Sequence, residues 1–116
     1  MDFGPGFYTT TDSGQAGAWA MRAAWGGGTP DIVEFRIPRN FLGEYSGQTF
    51  TKGPDFANIV RQMRTGGAMH NYDWLEGPFL RNVQAFLERG ELTTEGHQLS
   101  FHTARIVQQL NQYIVR

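Results

Sequence analysis

Asp2-Phe3-Gly4-Pro5-Gly6-Phe7-Tyr8-Thr9-Thr10-Thr11-Asp12 is the stretch on which the reading of the whole chain turns. A glycine-punctuated loop enters a short aromatic strand, and the strand runs into a polar segment that caps a helix. Gly4 and Gly6 carry no Cβ, so the backbone turns tightly there and can lie close to whatever faces it. Pro5 stiffens the turn between them. Phe7 and Tyr8 project to opposite faces of the strand. One ring is therefore expected in the core and the other toward a cleft. By residue chemistry alone this is a loop, a strand and a helix around an aromatic plug, because a Gly-x-Gly pair by itself carries little information.

Working outward, the helix is expected from about Ser13 to Trp25. Asp12 is a suitable N-cap and Gln15 completes a capping-box pattern. Ala16, Trp19, Ala20, Ala23 and Ala24 share one face, and Gly26, Gly27 and Gly28 stop the helix. Gln15 and Trp19 are neighbours on its surface. Asp31 to Ile37 alternates apolar and polar residues and reads as a strand ended by Pro38. Phe41 to Lys52 has no period and reads as a loop bordering a cleft.

A second helix is expected from Asp55 to Arg64, with Phe56, Ile59, Val60 and Met63 as its core stripe. Tyr72 to Pro78 reads as a strand closed by Gly77-Pro78. Asp73 and Glu76 beside it are expected to be exposed and are given no role. Leu80, Val83, Phe86 and Leu87 predict a short helix ending at Gly90, and Glu91 to Gly96 a loop. Gln98 to Phe101 reads as a strand, with Leu99 and Phe101 toward the core. Gln98, Ser100 and His102 are expected on a polar face toward a cleft. Thr103 caps a short helix carrying Ile106, Val107 and Leu110, and Tyr113 to Val115 is expected to form a last strand.

The chain has 116 residues, 40% hydrophobic and 18% charged, which suits one α/β domain with its own core. A net charge of -1 argues against binding nucleic acid or a membrane surface by charge alone. The absence of cysteine excludes disulfides, thiolate nucleophiles and cysteine-metal sites. His70, His97 and His102 lack metal-ligand spacing, so no metal is expected. No apolar run reaches membrane-spanning length, and no basic-then-apolar signal sequence opens the chain.

The stretch GPGFYTTTDSGQAGAWA, Gly4 to Ala20, resembles the second conserved block of the ADP-ribosyltransferase superfamily. It is more similar still to a bacterial group of domains with a DFGxGFY block, a helix carrying Gln-Ala and Trp-Ala, and a late QxSFHT block. Here these are Asp2 to Tyr8, Gln15-Ala16 with Trp19-Ala20, and Gln98 to Thr103. The resemblance implies one α+β domain over residues 1–116. It would hold two small, mainly antiparallel sheets packed at an angle, flanking helices, and an NAD cleft between the sheets. It further implies transfer of ADP-ribose from NAD to a protein or nucleic acid, or NAD hydrolysis, by a bacterial toxin or effector domain. Such a domain would act in the bacterial cytoplasm or in a target cell reached by secretion, and an immunity protein or antitoxin could hold it.

In this reading Tyr8 stacks on the nicotinamide and Gly6, Phe7, Thr9, Thr10, Gln15 and Trp19 line the cofactor. Gln98 takes the place of the superfamily's late-strand Glu. Gln carries no charge and is no general base, so Glu95 is a substitute carboxylate to test. The superfamily's first strand, with its His, would lie upstream of Asp2. Its absence from this chain predicts an unpaired sheet edge, to be completed by further sequence, a second copy or a partner. The alternatives are a binding module of the same fold without catalysis, and a protein-interaction element.

Overall fold

The structure is a computed structural model that describes residues 2–11, 14–16 and 33–115, apart from the Arg39 side chain. Strand β1 (Phe7–Thr9) is followed by helix α1 (Arg39–Gly43), strand β2 (Gly47–Thr49), helix α2 (Pro54–Arg64) and strand β3 (Trp74–Leu80). Helix α3 (Val83–Arg89), strand β4 (Thr94–Phe101), helix α4 (Ala104–Leu110) and a 3-10 turn (Asn111–Tyr113) complete it. The strands form one four-stranded sheet in the order β1-β4-β3-β2. β4 pairs antiparallel with β1 and β3, and β2 pairs parallel with β3. The domain is therefore α+β, with one mixed sheet among the described residues where two sheets were expected.

The sheet has an apolar core on each face. Leu75 of β3 and Phe101 of β4 project to opposite sides, because Leu75 lies opposite Ser100 and Trp74 opposite Phe101. On the first face Phe3, Phe56, Val60, Leu75, Leu80 and Phe86 pack together. On the second, Phe41 of α1, Phe101, and Ile106 and Leu110 of α4 do the same.

Helix α2 forms as its sequence predicts. Pro54 starts it, Asp55 sits in the first turn, and Phe56 and Val60 are fully buried. Burying each of these side chains contributes about 2–3 kcal/mol. Helix α3 is capped by the Asn82 side-chain oxygen Oδ1, which accepts from the Ala85 N–H at 3.0 Å, and ends at left-handed Gly90.

Several expectations change. Residues 14–16 are helical, while the rest of the Ser13–Trp25 helix lies outside the described residues. Within Asp31–Ile37 the described part holds only an isolated bridge from Phe35 to Ile114, which is also all that forms of the Tyr113–Val115 strand. The Phe41–Lys52 segment is not a loop but contains most of α1 and all of β2. Gly47-Gln48-Thr49 shows no alternation, because its place is set by backbone pairing to β3. Gly77-Pro78 does not close β3. It sits at a shift in register between Gly77 and Phe79, which accommodates a residue without an N–H. β4 begins at Thr94, inside the expected Glu91–Gly96 loop.

Asp73 is the clearest reversal. It is buried at 5% exposure, not on the surface. It accepts hydrogen bonds from the Ser46 N–H, the Thr103 hydroxyl and the Arg105 guanidinium. Thr103 stands at the α4 N-cap, yet its hydroxyl serves Asp73 and makes no cap bond. One carboxylate thus ties the entry of β2 to the start of α4. The Arg105 guanidinium is the main reason that the Asp73 carboxyl is held down to about 2, with Thr103 and Ser46 adding to it against the opposing effect of burial.

A carboxylate with a depressed pKa contributes stability above its ordinary value of 3.8, and that stability is lost as pH falls toward 2. Arg105 is largely exposed, so solvent screening reduces the contribution to about 1–2 kcal/mol. Unfolding free energies from urea titrations between pH 5 and pH 2 are expected to fall by at least that amount in the parent. Asp73→Asn should lack this share of the acid dependence and be less stable at pH 7. An unchanged acid profile in the variant would refute the assignment.

Candidate functional site

The two ends of the chain meet at Asp2 and Gln98. Asp2 is 3% exposed and Gln98 1%. One Asp2 oxygen accepts from the Arg64 guanidinium, the other from the Leu80 N–H at 2.8 Å and from the Gln98 amide at 2.9 Å. The same Gln98 nitrogen also donates to the Pro78 carbonyl at 2.8 Å. A buried carboxylate is tolerable only with such donors around it. Leu99 and Phe101 face a core as expected, but the expected polar face toward a cleft is overturned. Gln98 and Ser100 point into the core, and the alternate positions 97 and 99 point to the other face.

Tyr8 lies opposite Ser100 and packs on the same core. Its hydroxyl accepts from the Phe3 N–H at 3.0 Å and donates to the Gly4 carbonyl at 2.6 Å. Burial pushes its pKa up to about 12, so it stays protonated. Tyr8 is thus the ring that enters the core, while Phe7 is 43% exposed and sits edge-on to Phe35. Gly4 adopts φ +85, a conformation that favours glycine, and a Cβ on Gly6 would come within 2.6 Å of the His102 ring. The loop glycines are required by the protein's own packing.

Two histidines clamp that loop. His70 Nε2 donates to the Phe3 carbonyl at 2.9 Å while its Nδ1 accepts from the Tyr72 N–H. His102 Nδ1 donates to the Pro5 carbonyl at 2.8 Å, leaving Nε2 to accept from Ser100 at 2.7 Å. Burial lowers both pKa values, which suits these neutral tautomers. Ser100 is fully buried, so its contact with His102 is an internal strut, not an exposed nucleophile pair.

The accessible polar site lies on the other side of β4. A cleft of about 450 Å³ opens between the Thr49–Lys52 segment and the strands. Its polar wall carries Thr49, Thr51, Lys52, Glu76, Thr94 and His97. His97 Nε2 lies 2.9 Å from Glu76 Oε2, and the Thr49 hydroxyl donates to Glu76 Oε1 at 3.0 Å. Both side chains of the pair are about 30% exposed.

The DUF3990 family model, described as a protein of unknown function, matches residues 1–112. The chain belongs to the DUF3990 family. No curated protein and no solved structure matches it.

In this DUF3990 chain the predicted site residues separate into two groups. Tyr8, Gly6 and Gln98 belong to the junction of the two end blocks. Thr10 and Gln15 lie along the β4 segment that walls the cleft, and Thr9 beside Leu99 just beyond it. The Thr9 hydroxyl donates to the Leu99 carbonyl at 2.7 Å and that of Thr10 to the His97 carbonyl at 2.7 Å. The Gln15 amide packs against Gly96. Trp19 lies outside the described residues. Glu95 does not line the cleft; its carboxylate is 61% exposed and 4.0 Å from Arg81.

Sequence reasoning passed over Glu76 and considered His97 only as a metal ligand. Their proximity follows from strand register, since Glu76 pairs with Leu99 and His97 is two residues along the same face. Among the described residues no group of three or more His, Asp or Glu is arranged to hold a metal ion. Among them also, no helix is long and apolar enough to cross a membrane.

Proposed function

We propose that this DUF3990 chain is an NAD-consuming domain of the ADP-ribosyltransferase kind, transferring ADP-ribose to a macromolecule or to water. The observation that carries the reading is the union of the two motif blocks beside a polar cleft. β1 and β4 pair residue for residue from Phe7–Phe101 to Thr9–Leu99. Directly beyond that pairing, Thr10 and Gln15 of the first stretch bracket Gly96 and His97, the two β4 residues that lead into the second block, at the cleft wall. Hydroxyls suit a ribose, and Lys52 suits a phosphate. Cleavage of the nicotinamide–ribose bond develops positive charge on the sugar, and the Glu76 carboxylate offers fixed negative charge there. A bacterial toxin or effector role, with an immunity partner, accompanies this reading. β1 also lies at the sheet's edge with β4 as its one paired neighbour among the described residues, which suits completion by another strand.

A binding module without catalysis is the second reading. It is favoured by the saturation of Gln98 and of the Tyr8 hydroxyl inside the protein. Nicotinamide release by the purified chain, measured beside equilibrium NAD binding, decides between them. Release above the uncatalysed rate is the expected result. Binding without release would establish the second reading, and neither would remove NAD from the account of this family member.

A further inference from the structure

We infer that His97, oriented by Glu76, is the general base of the cleft and acts on a phosphate-bearing ribosyl ligand; the inference rests on the NAD-consuming reading and names the residues that would do its chemistry. The tautomer is fixed by what faces each ring nitrogen. Glu76 Oε2 can only accept as a carboxylate, so Nε2 carries the proton toward it across 2.9 Å. Nδ1 is then left with its lone pair, and it faces the Thr11 hydroxyl at 3.1 Å. A hydroxyl oxygen thus already sits where an attacking water or acceptor hydroxyl would sit, within reach of a base whose other nitrogen is held by a carboxylate.

Glu76 is itself fixed by the Thr49 hydroxyl on β2, so the pair is anchored on three neighbouring strands. Among the described residues the other charged group lining the cleft is Lys52. It stands in the segment leading into α2, where it can meet a phosphate without competing for Glu76. The lining also includes Phe50, whose ring stacks on buried Phe3, and Pro78, among the hydroxyls of Thr49, Thr51 and Thr94. Hydroxyls, one cation and a few apolar residues describe a nucleotide sugar better than a peptide or a lipid.

The step balances without a further reactant. The bond from the ribose anomeric carbon to the nicotinamide nitrogen breaks, and its electron pair leaves with the nitrogen, neutralising the pyridinium. A bond forms from the same carbon to the attacking oxygen. The proton of that oxygen passes to His97 Nδ1, and the imidazolium so formed is held by Glu76 until solvent takes the proton. His97 is the catalytic residue and Glu76 its positioning residue.

Steady-state nicotinamide release is to be measured from pH 5 to pH 9 for the parent, His97→Ala, His97→Gln and Glu76→Gln, each checked for folding by its urea midpoint. Both His97 variants are expected to lose about 100-fold or more in kcat, with KM for NAD within about threefold. The fall in rate on the acid side of the parent's profile should vanish in them. Glu76→Gln should lose about 10-fold or more in kcat with KM similarly preserved. A parent that releases nicotinamide while the His97 variants keep its rate and its acid limb would overturn the base role and leave the function standing. Loss confined to KM would make the pair a binding element and also overturn it. A parent that releases none would remove the function and the base role together.

Discussion

Gln98→Glu is expected to destabilise the domain by about 3–5 kcal/mol at neutral pH, not to restore a catalytic carboxylate. The resemblance to ADP-ribosyltransferases makes this substitution look like a repair, since their late strand carries Glu at the matching place. The structure gives the opposite sign. The side-chain nitrogen of Gln98 donates at 2.9 Å to Asp2, which is itself buried and bonded to Arg64 and the Leu80 N–H. Glutamate would set a second negative charge against the first in a site with 1% exposure. It would also remove the donor to the Pro78 carbonyl. Arg64 is one cation for two anions. One of the two carboxyls must then take up a proton at a raised pKa, or both must stay charged against each other. The deficit should therefore narrow as pH is lowered toward 5, where a protonated carboxyl can again donate to Asp2. Urea unfolding of parent and variant at pH 7 and pH 5 measures this directly. A variant as stable as the parent at pH 7, with faster nicotinamide release, would refute the account of Gln98 as the partner of a buried charge.

Gly47→Ala is expected to cost about 3 kcal/mol, from a single methyl group. A Cβ at Gly47 would lie 1.8 Å from the Trp74 ring, far inside van der Waals contact. The two residues are paired across β2 and β3, so the indole lies directly over the glycine. Trp74 cannot swing aside cheaply. Its Nε1 donates to the Leu42 carbonyl at 3.0 Å, and its ring packs on the second-face core with Phe41, Phe101 and Ile106. The substitution must either break that bond and open the core or unpair β2. Loss of β2 would reach the cleft, because Thr49 holds Glu76. The expected signature is a lower urea midpoint, with Trp fluorescence shifted to longer wavelength as the indole meets water. Retention of the parent's midpoint and spectrum would mean that β2 slides along β3 without penalty.

Much of the frame was legible locally. Helix α2 is legible from an apolar stripe starting near Asp55, and helix α3 from a shorter stripe ending at Gly90. Those signals live within one element, so neighbours in sequence are neighbours in space. β2 was not legible. Three residues without alternation become a strand only because β3 offers backbone partners and Trp74 requires a glycine beneath it. Asp73 was misjudged for the same reason. Nothing nearby in sequence announces that Ser46, Thr103 and Arg105 will gather round it.

The candidate site divides along the same line. By itself, the sequence determined that two blocks at the chain's ends deserve to be read together, that cysteine chemistry is absent, and that a Gly-rich aromatic strand leads into a helix. It also determined which residue types are available to a cleft. Only the tertiary structure decided that the Gln98 and Ser100 face of β4 is buried. A one-residue alternation exchanges the roles of Gln98 and His97, and the choice was made by Asp2, ninety-six residues away, needing a donor for its buried carboxylate. With Gln98 turned inward, His97 is turned out toward Glu76 on the neighbouring strand. Their pairing is a consequence of register, which is set by long-range packing and is written in no local stretch of the chain.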